Sequence, residues 1–123
     1  MQTVAVVDDD PDVIEFLEMF LSMQGLCVVA FDHAGDVIEA IRDIKPDVVL
    51  LDLQTPDDRQ VGLRILAQIR ADEVLARVPV ILMSADHAAL VQHATRLEAL
   101  DALPLMKPFD PYQLYQMIEQ LAA

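Results

Sequence analysis

Reactive side chains recur where short apolar runs of the sequence end. They are Asp8 and Asp9 after residues 3–7, Asp52 after 48–51, Ser84 after 79–83 and Lys107 after 102–106. Three carboxylates in one place repel one another, so at least one would have a raised pKa unless a cation intervened. Oxygen ligands without a nearby histidine or cysteine favour Mg²⁺ or a similar hard ion. If the ends of these apolar runs lie together in the folded protein, the residues that follow them therefore predict a magnesium site.

A lysine and a hydroxyl beside such a metal suit the binding of a phosphoryl group. Lys107 and the metal would neutralise charge on the phosphoryl oxygens, and Ser84 would donate a hydrogen bond to one of them. Asp52 is then the expected nucleophile. A carboxylate held beside Mg²⁺ can attack an activated phosphorus and form an acyl phosphate.

Strand and helix patterns alternate five times, which explains how distant residues could share one site. The predicted strands are 3–7, 26–31, 47–52, 79–84 and 102–106, and each is followed by a helical pattern, the fourth of these at about 87–100. Asp10 and Asp110, each followed by proline, have the pattern of helix caps. Alternation with short connections predicts a doubly wound parallel sheet, whose carboxyl strand ends open into one crevice.

Length and composition indicate one α/β domain covering residues 1–123. The hydrophobic content of 54% predicts a sheet covered on both faces. A formal charge of −13 argues against direct nucleic-acid binding and favours metal ions or basic partners.

Three further features bear on location and on the single cysteine. The sequence has neither a secretory signal pattern nor an apolar run of membrane-spanning length, so we expect a cytoplasmic protein without a membrane partner. Cys27 lies in the apolar run of the second strand and is expected to be a buried, unpaired thiol.

Several motifs occur in a familiar order at these strand ends. They are Val6–Asp10, Val49–Asp52 followed by Pro56 and Gly62, Val80–Ala85, and Lys107–Phe109. Together they resemble the receiver domains of bacterial two-component response regulators over the whole chain. The resemblance implies a flavodoxin-like, CheY-like fold, with five strands in the order 2-1-3-4-5 and five helices.

The resemblance also implies a role for each site residue. Asp52 would accept a phosphoryl group from a phosphohistidine on a sensor histidine kinase or a histidine phosphotransfer protein. Asp9 would bind Mg²⁺ directly and Asp8 largely through water, with Asp52 and the Gln54 backbone carbonyl as further ligands. Lys107, followed by a cis peptide to Pro108, would pair with the phosphoryl group or with Asp52.

Ser84 would act as the switch by moving toward the phosphoryl group, and a downstream protein or output domain would bind the altered surface. The protein would thus be a signalling switch and not a turnover enzyme. Two departures concern this output. Pro104 occupies a position where such domains usually carry an aromatic residue or histidine, and the loop 53–61 is about two residues longer than usual. Arg59 in that loop could fold over the site or lie in solvent, and we expect it to lie in solvent.

Two other functions remain open. Pro104 is compatible with a receiver-like interaction or dimerisation module that works without phosphorylation, and a homodimer is one possible assembly. A phosphate-ester hydrolase acting through an aspartyl phosphate is less favoured. Such enzymes carry an acid two residues after the nucleophile, and here that residue is Gln54.

Overall fold

A computed structural model describes residues 2–32 and 36–122, which form a five-stranded parallel sheet between two layers of helices. The strands are β1 (Thr3–Val7), β2 (Cys27–Phe31), β3 (Val48–Asp52), β4 (Val80–Ser84) and β5 (Ala102–Met106). Their order is β2-β1-β3-β4-β5, with every neighbouring pair parallel. The predicted doubly wound, flavodoxin-like fold and strand order are confirmed.

Six helices lie in the described part of the chain. They are α1 (Pro11–Met23), α2 (Val37–Ile44), α3 (Val61–Ala71), α4 (His87–Gln92), α5 (Ala94–Ala99) and α6 (Pro111–Ala122). The expectation of five helices was wrong, because the segment predicted as one helix over 87–100 breaks at His93. The apolar stripe of this segment is thin, and the side chain of Val91 is 62% exposed. Little packing therefore holds the two halves in one straight helix.

The core consists of two apolar layers, one on each face of the sheet. Ala5, Val49 and Leu51 belong to one layer, and Val4 and Leu50 belong to the other. All residues of β3 and β4 are buried, as a central parallel strand covered on both faces requires. The catalytic candidates at the ends of these strands therefore stand on a rigid base.

Cys27 is exposed, so the prediction of a buried thiol was wrong. It is the first residue of β2, which is an edge strand, and none of the residues of β2 is fully buried. An apolar run alone does not distinguish an edge strand from a central one. Among the helices of the described ranges, none is long and apolar enough to cross a membrane.

Candidate functional site

The carboxyl ends of β1, β3, β4 and β5 surround one cleft of about 820 Å³. All six residues predicted for the site line this cleft: Asp8, Asp9, Asp52, Gln54, Ser84 and Lys107. The structure therefore brings together residues that lie as many as 99 positions apart in sequence. The cleft also includes Arg59 and Asp86, to which the sequence had assigned no site role.

Asp8 is fully buried, and both of its carboxylate oxygens accept hydrogen bonds. The backbone N–H of Asp10 donates to Oδ1 at 2.9 Å, and the Lys107 ammonium donates to Oδ2 at 2.8 Å. The Asp10 side chain accepts from the Asp12 N–H and caps α1, as its sequence pattern predicted. The turn after β1 thus directs Asp8 inward while Asp10 begins the helix.

Asp52 ends β3 and is also buried, with its Oδ1 atom 3.5 Å from Lys107 Nζ. The backbone N–H of Lys107 donates to the Ser84 carbonyl at 2.8 Å, which holds the end of β5 beside β4. The Lys107–Pro108 peptide is cis, as the resemblance implied. Lys107 therefore forms ion pairs with carboxylates at the ends of two other strands, Asp8 after β1 and Asp52 in β3.

Gly62 allows α3 to begin close to the end of β3. Its backbone N–H donates to the Leu53 carbonyl at 2.8 Å. A Cβ atom at this position would lie 2.4 Å from the carbonyl oxygens of both Asp52 and Leu53. These contacts are with backbone, so any larger residue would displace the segment that carries Asp52.

The carboxylates of Asp8, Asp9 and Asp52 form a cluster suited to a hard cation. One oxygen from each lies within 4.8 Å of the others, and Asp9 is exposed while the other two are buried. Carboxylate, carbonyl and water oxygens are the ligands that Mg²⁺ prefers. The chemistry of this donor set therefore fits the metal that the sequence predicted.

Burial and neighbouring charges change the pKa values of both Asp52 and Lys107. Burial, together with the charge of Asp8, raises the pKa of Asp52 to about 6, although Lys107 opposes the change. Burial disfavours the charged form of Lys107, but hydrogen bonding to Asp8 and the charge of Asp52 together raise its pKa. Lys107 thus stays cationic at neutral pH. A second cation close to Asp52 would favour the ionised form of its carboxyl group.

Ser84 is buried and its hydroxyl is held by the turn that follows β4. Its Oγ atom accepts a hydrogen bond from the Asp86 N–H at 3.0 Å. Asp86 caps α4 by accepting from the Ala89 N–H at 3.0 Å, and it also accepts from Gln54 Nε2 at 3.3 Å. A polar chain therefore connects the loop after Asp52 to the start of α4 through Gln54 and Asp86.

Asp86 was not predicted as part of the site. The sequence signal was its position one residue before the helical pattern, which is typical of a cap. Its pKa is lowered chiefly by the Ala89 N–H, then by Gln54, with a further contribution from the positive charge of Arg59. Arg59 is exposed as expected, yet it also lines the cleft.

Comparison with known proteins agrees with this geometry. A family model described as the response regulator receiver domain matches residues 4–119. The transcriptional regulator NtrC of Proteus hauseri, a DNA-binding protein by its name, is 39% identical over 119 residues. That match covers 95% of this chain but only 24% of NtrC, so the chain spans about a quarter of this relative's length.

Solved structures show the same fold. The chemotaxis protein CheY4 of Vibrio cholerae matches with a TM-score of 0.84 at 20% identity, over 98% of each chain. The receiver domain of the sensor histidine kinase PA1611 from Pseudomonas aeruginosa matches with a TM-score of 0.75 at 27% identity, over 98% of this chain and 97% of that one. A magnesium ion is coordinated in the active-site cleft of PA1611.

We expect Asp52→Asn to stabilise the protein at neutral pH when no divalent cation is present. Because the pKa of Asp52 is about 6 in the folded state, against about 4 in the unfolded chain, stability falls as the pH rises from about 4 to 6 and stays lower above that. Below about pH 4 the carboxyl binds a proton in both states and the penalty disappears. Water in the open cleft screens the Asp52 charge and reduces the penalty. The gain in free energy of unfolding at pH 8 should therefore be about 1–2 kcal/mol.

Urea unfolding of wild type and Asp52→Asn in EDTA, at pH 4 and pH 8, measures this difference. The gain should be present at pH 8 and nearly absent at pH 4. Equal stability of the two proteins at pH 8 would show that burial does not disfavour the Asp52 carboxylate.

Gly62→Ala should lower the free energy of unfolding by about 1–3 kcal/mol, because its methyl group would collide with the backbone at the end of β3. Gln68→Ala is the matched control, since Gln68 is exposed on the same helix and its replacement should change stability by less than about 0.5 kcal/mol. Urea unfolding at pH 7 tests both. Similar stability of the two variants would contradict the close approach at Gly62.

Proposed function

The chain belongs to the response regulator receiver domain family, and from this premise we propose that Asp52 is a phosphoacceptor that takes a phosphoryl group from a phosphohistidine. Receiver domains of response regulators are regulatory domains of two-component systems and are not in general turnover enzymes. The proposed donor is a sensor histidine kinase or a histidine phosphotransfer protein. We propose that this phosphoryl transfer takes place in the cytoplasm.

The observation that carries this proposal is the grouping around Asp52. Its carboxylate lies within 4.8 Å of oxygens from Asp8 and Asp9 and 3.5 Å from the Lys107 ammonium, at the base of an open cleft. In the transfer an Asp52 oxygen attacks phosphorus and a new O–P bond forms. The P–N bond of the donor breaks, and the imidazole keeps the bonding electrons and takes up a proton.

The carboxylates and the Gln54 carbonyl are proposed to hold Mg²⁺. Both oxygens of Asp8 already accept hydrogen bonds from protein groups, which suits contact through water. Asp9 is exposed and Asp52 borders the cleft, which suits direct contact. When bound, the ion would supply charge neutralisation for the phosphoryl oxygens. The magnesium ion in the PA1611 receiver domain supports the assignment.

Lys107 and Ser84 are proposed to respond to the new phosphoryl group. Lys107 already contacts Asp52 and would move little to meet a phosphoryl oxygen. Ser84 would turn its O–H away from the Asp86 carbonyl, which accepts from Oγ at 3.5 Å, and donate to the phosphoryl group instead. Because Asp86 caps α4, this rotation would shift the surface formed by α4, β5 and α6. A downstream protein or output domain would bind that surface.

A second candidate is an interaction or dimerisation module that works without phosphorylation. The observation favouring it is Pro104, which is exposed in the edge strand β5 beside the exposed side chain of Leu103. Proline cannot rotate inward as an aromatic side chain would. This function predicts that wild type and Asp52→Ala dimerise, or bind the same partner, with equal affinity.

Incubation with acetyl phosphate and MgCl₂ should add one phosphoryl group to the wild-type protein. Asp52→Asn should show no addition, because it lacks the nucleophile. Asp9→Asn should lose most of the reaction, because a ligand of the proposed ion is missing. Intact-mass spectrometry measures the product. Labelling that survives alkali and hydroxylamine, or that does not depend on Asp52, would rule out the proposed acyl phosphate.

A further inference from the structure

Arg59 occupies a part of the cleft that the receiver motifs do not describe. It lies in the loop between β3 and α3, and its exposed side chain lines the same cleft as Asp52 and Lys107. Its charge also acts on Asp86 at the start of α4. The positive charge of Arg59 is therefore close to the cleft and to the start of α4.

The loop that carries Arg59 is held by its own hydrogen bonds. The Thr55 N–H donates to the Asp58 carbonyl at 3.0 Å, and the Asp58 N–H donates to Thr55 Oγ1 at 3.0 Å. The Asp58 carboxylate accepts from the Gln60 N–H at 3.0 Å and from the Arg64 guanidinium of α3. The backbone is thus fixed on both sides of Arg59, which limits the entropy lost when its side chain binds a ligand.

The cleft has an excess of negative charge that an incoming phosphoryl group must overcome. Five of its lining residues are aspartates: Asp8, Asp9, Asp10, Asp52 and Asp86. The lining residues with a permanent positive charge, within the described part of the chain, are Lys107 and Arg59. The Lys107 ammonium is already bound by Asp8 at 2.8 Å and by Asp52 at 3.5 Å.

We propose that Arg59 binds the anionic phosphoryl group of the donor as it approaches Asp52. The guanidinium fork matches the oxygens of a phosphoryl group, and it would offset the repulsion from the aspartates that line the cleft. Arg59 is in this view a donor-binding residue contributed by the long loop. The inference rests on the proposed phosphorylation of Asp52.

The rate of Asp52 modification at increasing acetyl phosphate and constant MgCl₂ tests this role. In Arg59→Gln the concentration giving half-maximal rate should rise about five- to tenfold, because one close charge interaction is lost. The maximal rate should change less. Arg59→Lys keeps the positive charge but loses the forked guanidinium group. Its acetyl phosphate concentration for half-maximal rate (the half-saturation) should therefore lie between those of wild type and Arg59→Gln.

Arg77→Gln is the matched control, since Arg77 is exposed in the segment before β4 and does not line the cleft. It should behave as wild type does. Added KCl should raise the half-saturation of wild type more steeply than that of Arg59→Gln, because salt screens an exposed charge. Thermal unfolding of each variant verifies that it is folded.

Asp86→Asn separates direct binding from an effect through Asp86. Asparagine retains the helix cap but removes the negative charge. If Arg59 contacts the donor, Arg59→Gln should still raise the half-saturation in the Asp86→Asn background. Loss of the effect in that background would overturn the proposal, because Arg59 would then act only by neutralising Asp86.

The two proposals can fail separately. If wild type is modified at Asp52 but Arg59→Gln has the same half-saturation as wild type and Arg77→Gln, the role of Arg59 is wrong and the phosphoacceptor function stands. If wild type shows no modification at Asp52, the proposed function fails and the role of Arg59 fails with it.

Discussion

The ammonium group of Lys107 lies between the buried carboxylates of Asp8 and Asp52, and the site depends on this arrangement. Each charge alone would be costly to bury, so the three groups are stable there only because they are close together. One cation does not balance three clustered carboxylates, however, and the pKa of Asp52 is raised to about 6. The folded protein therefore maintains a local excess of negative charge that a second cation would relieve.

The sheet makes this arrangement possible. In the order β2-β1-β3-β4-β5, the strand that carries Asp52 is central and lies between β1, which Asp8 follows, and β4, which ends at Ser84. Lys107 follows the edge strand β5 and reaches across the end of β4, where its backbone N–H is bound by the Ser84 carbonyl. Gly62 lets α3 begin against the end of β3 without displacing the backbone of Asp52 and Leu53. The apolar layers beneath hold the strand ends in place.

Apolar periodicity was sufficient to predict a doubly wound parallel sheet and the meeting of the site residues, whereas the strand order was implied by the resemblance to receiver domains. A carboxylate directly after a buried strand must lie at the sheet edge, and parallel strands share one carboxyl edge. The errors concern features that periodicity does not encode. Whether β2 lies at an edge determines the exposure of Cys27, and the weak packing of Val91 determines the break at His93. The hydrogen bond from Gln54 to Asp86 and the position of Arg59 depend on loop geometry between distant segments.

A titration with Mg²⁺ followed by backbone amide NMR tests most directly whether four strand ends form one cation site. The amide signals of residues 8–10, 52–54, 84–86 and 107 should all shift along one binding curve with a single dissociation constant, and Asp9→Asn should weaken that binding. Shifts confined to one segment, or segments that titrate with different constants, would contradict a shared site at this edge of the sheet.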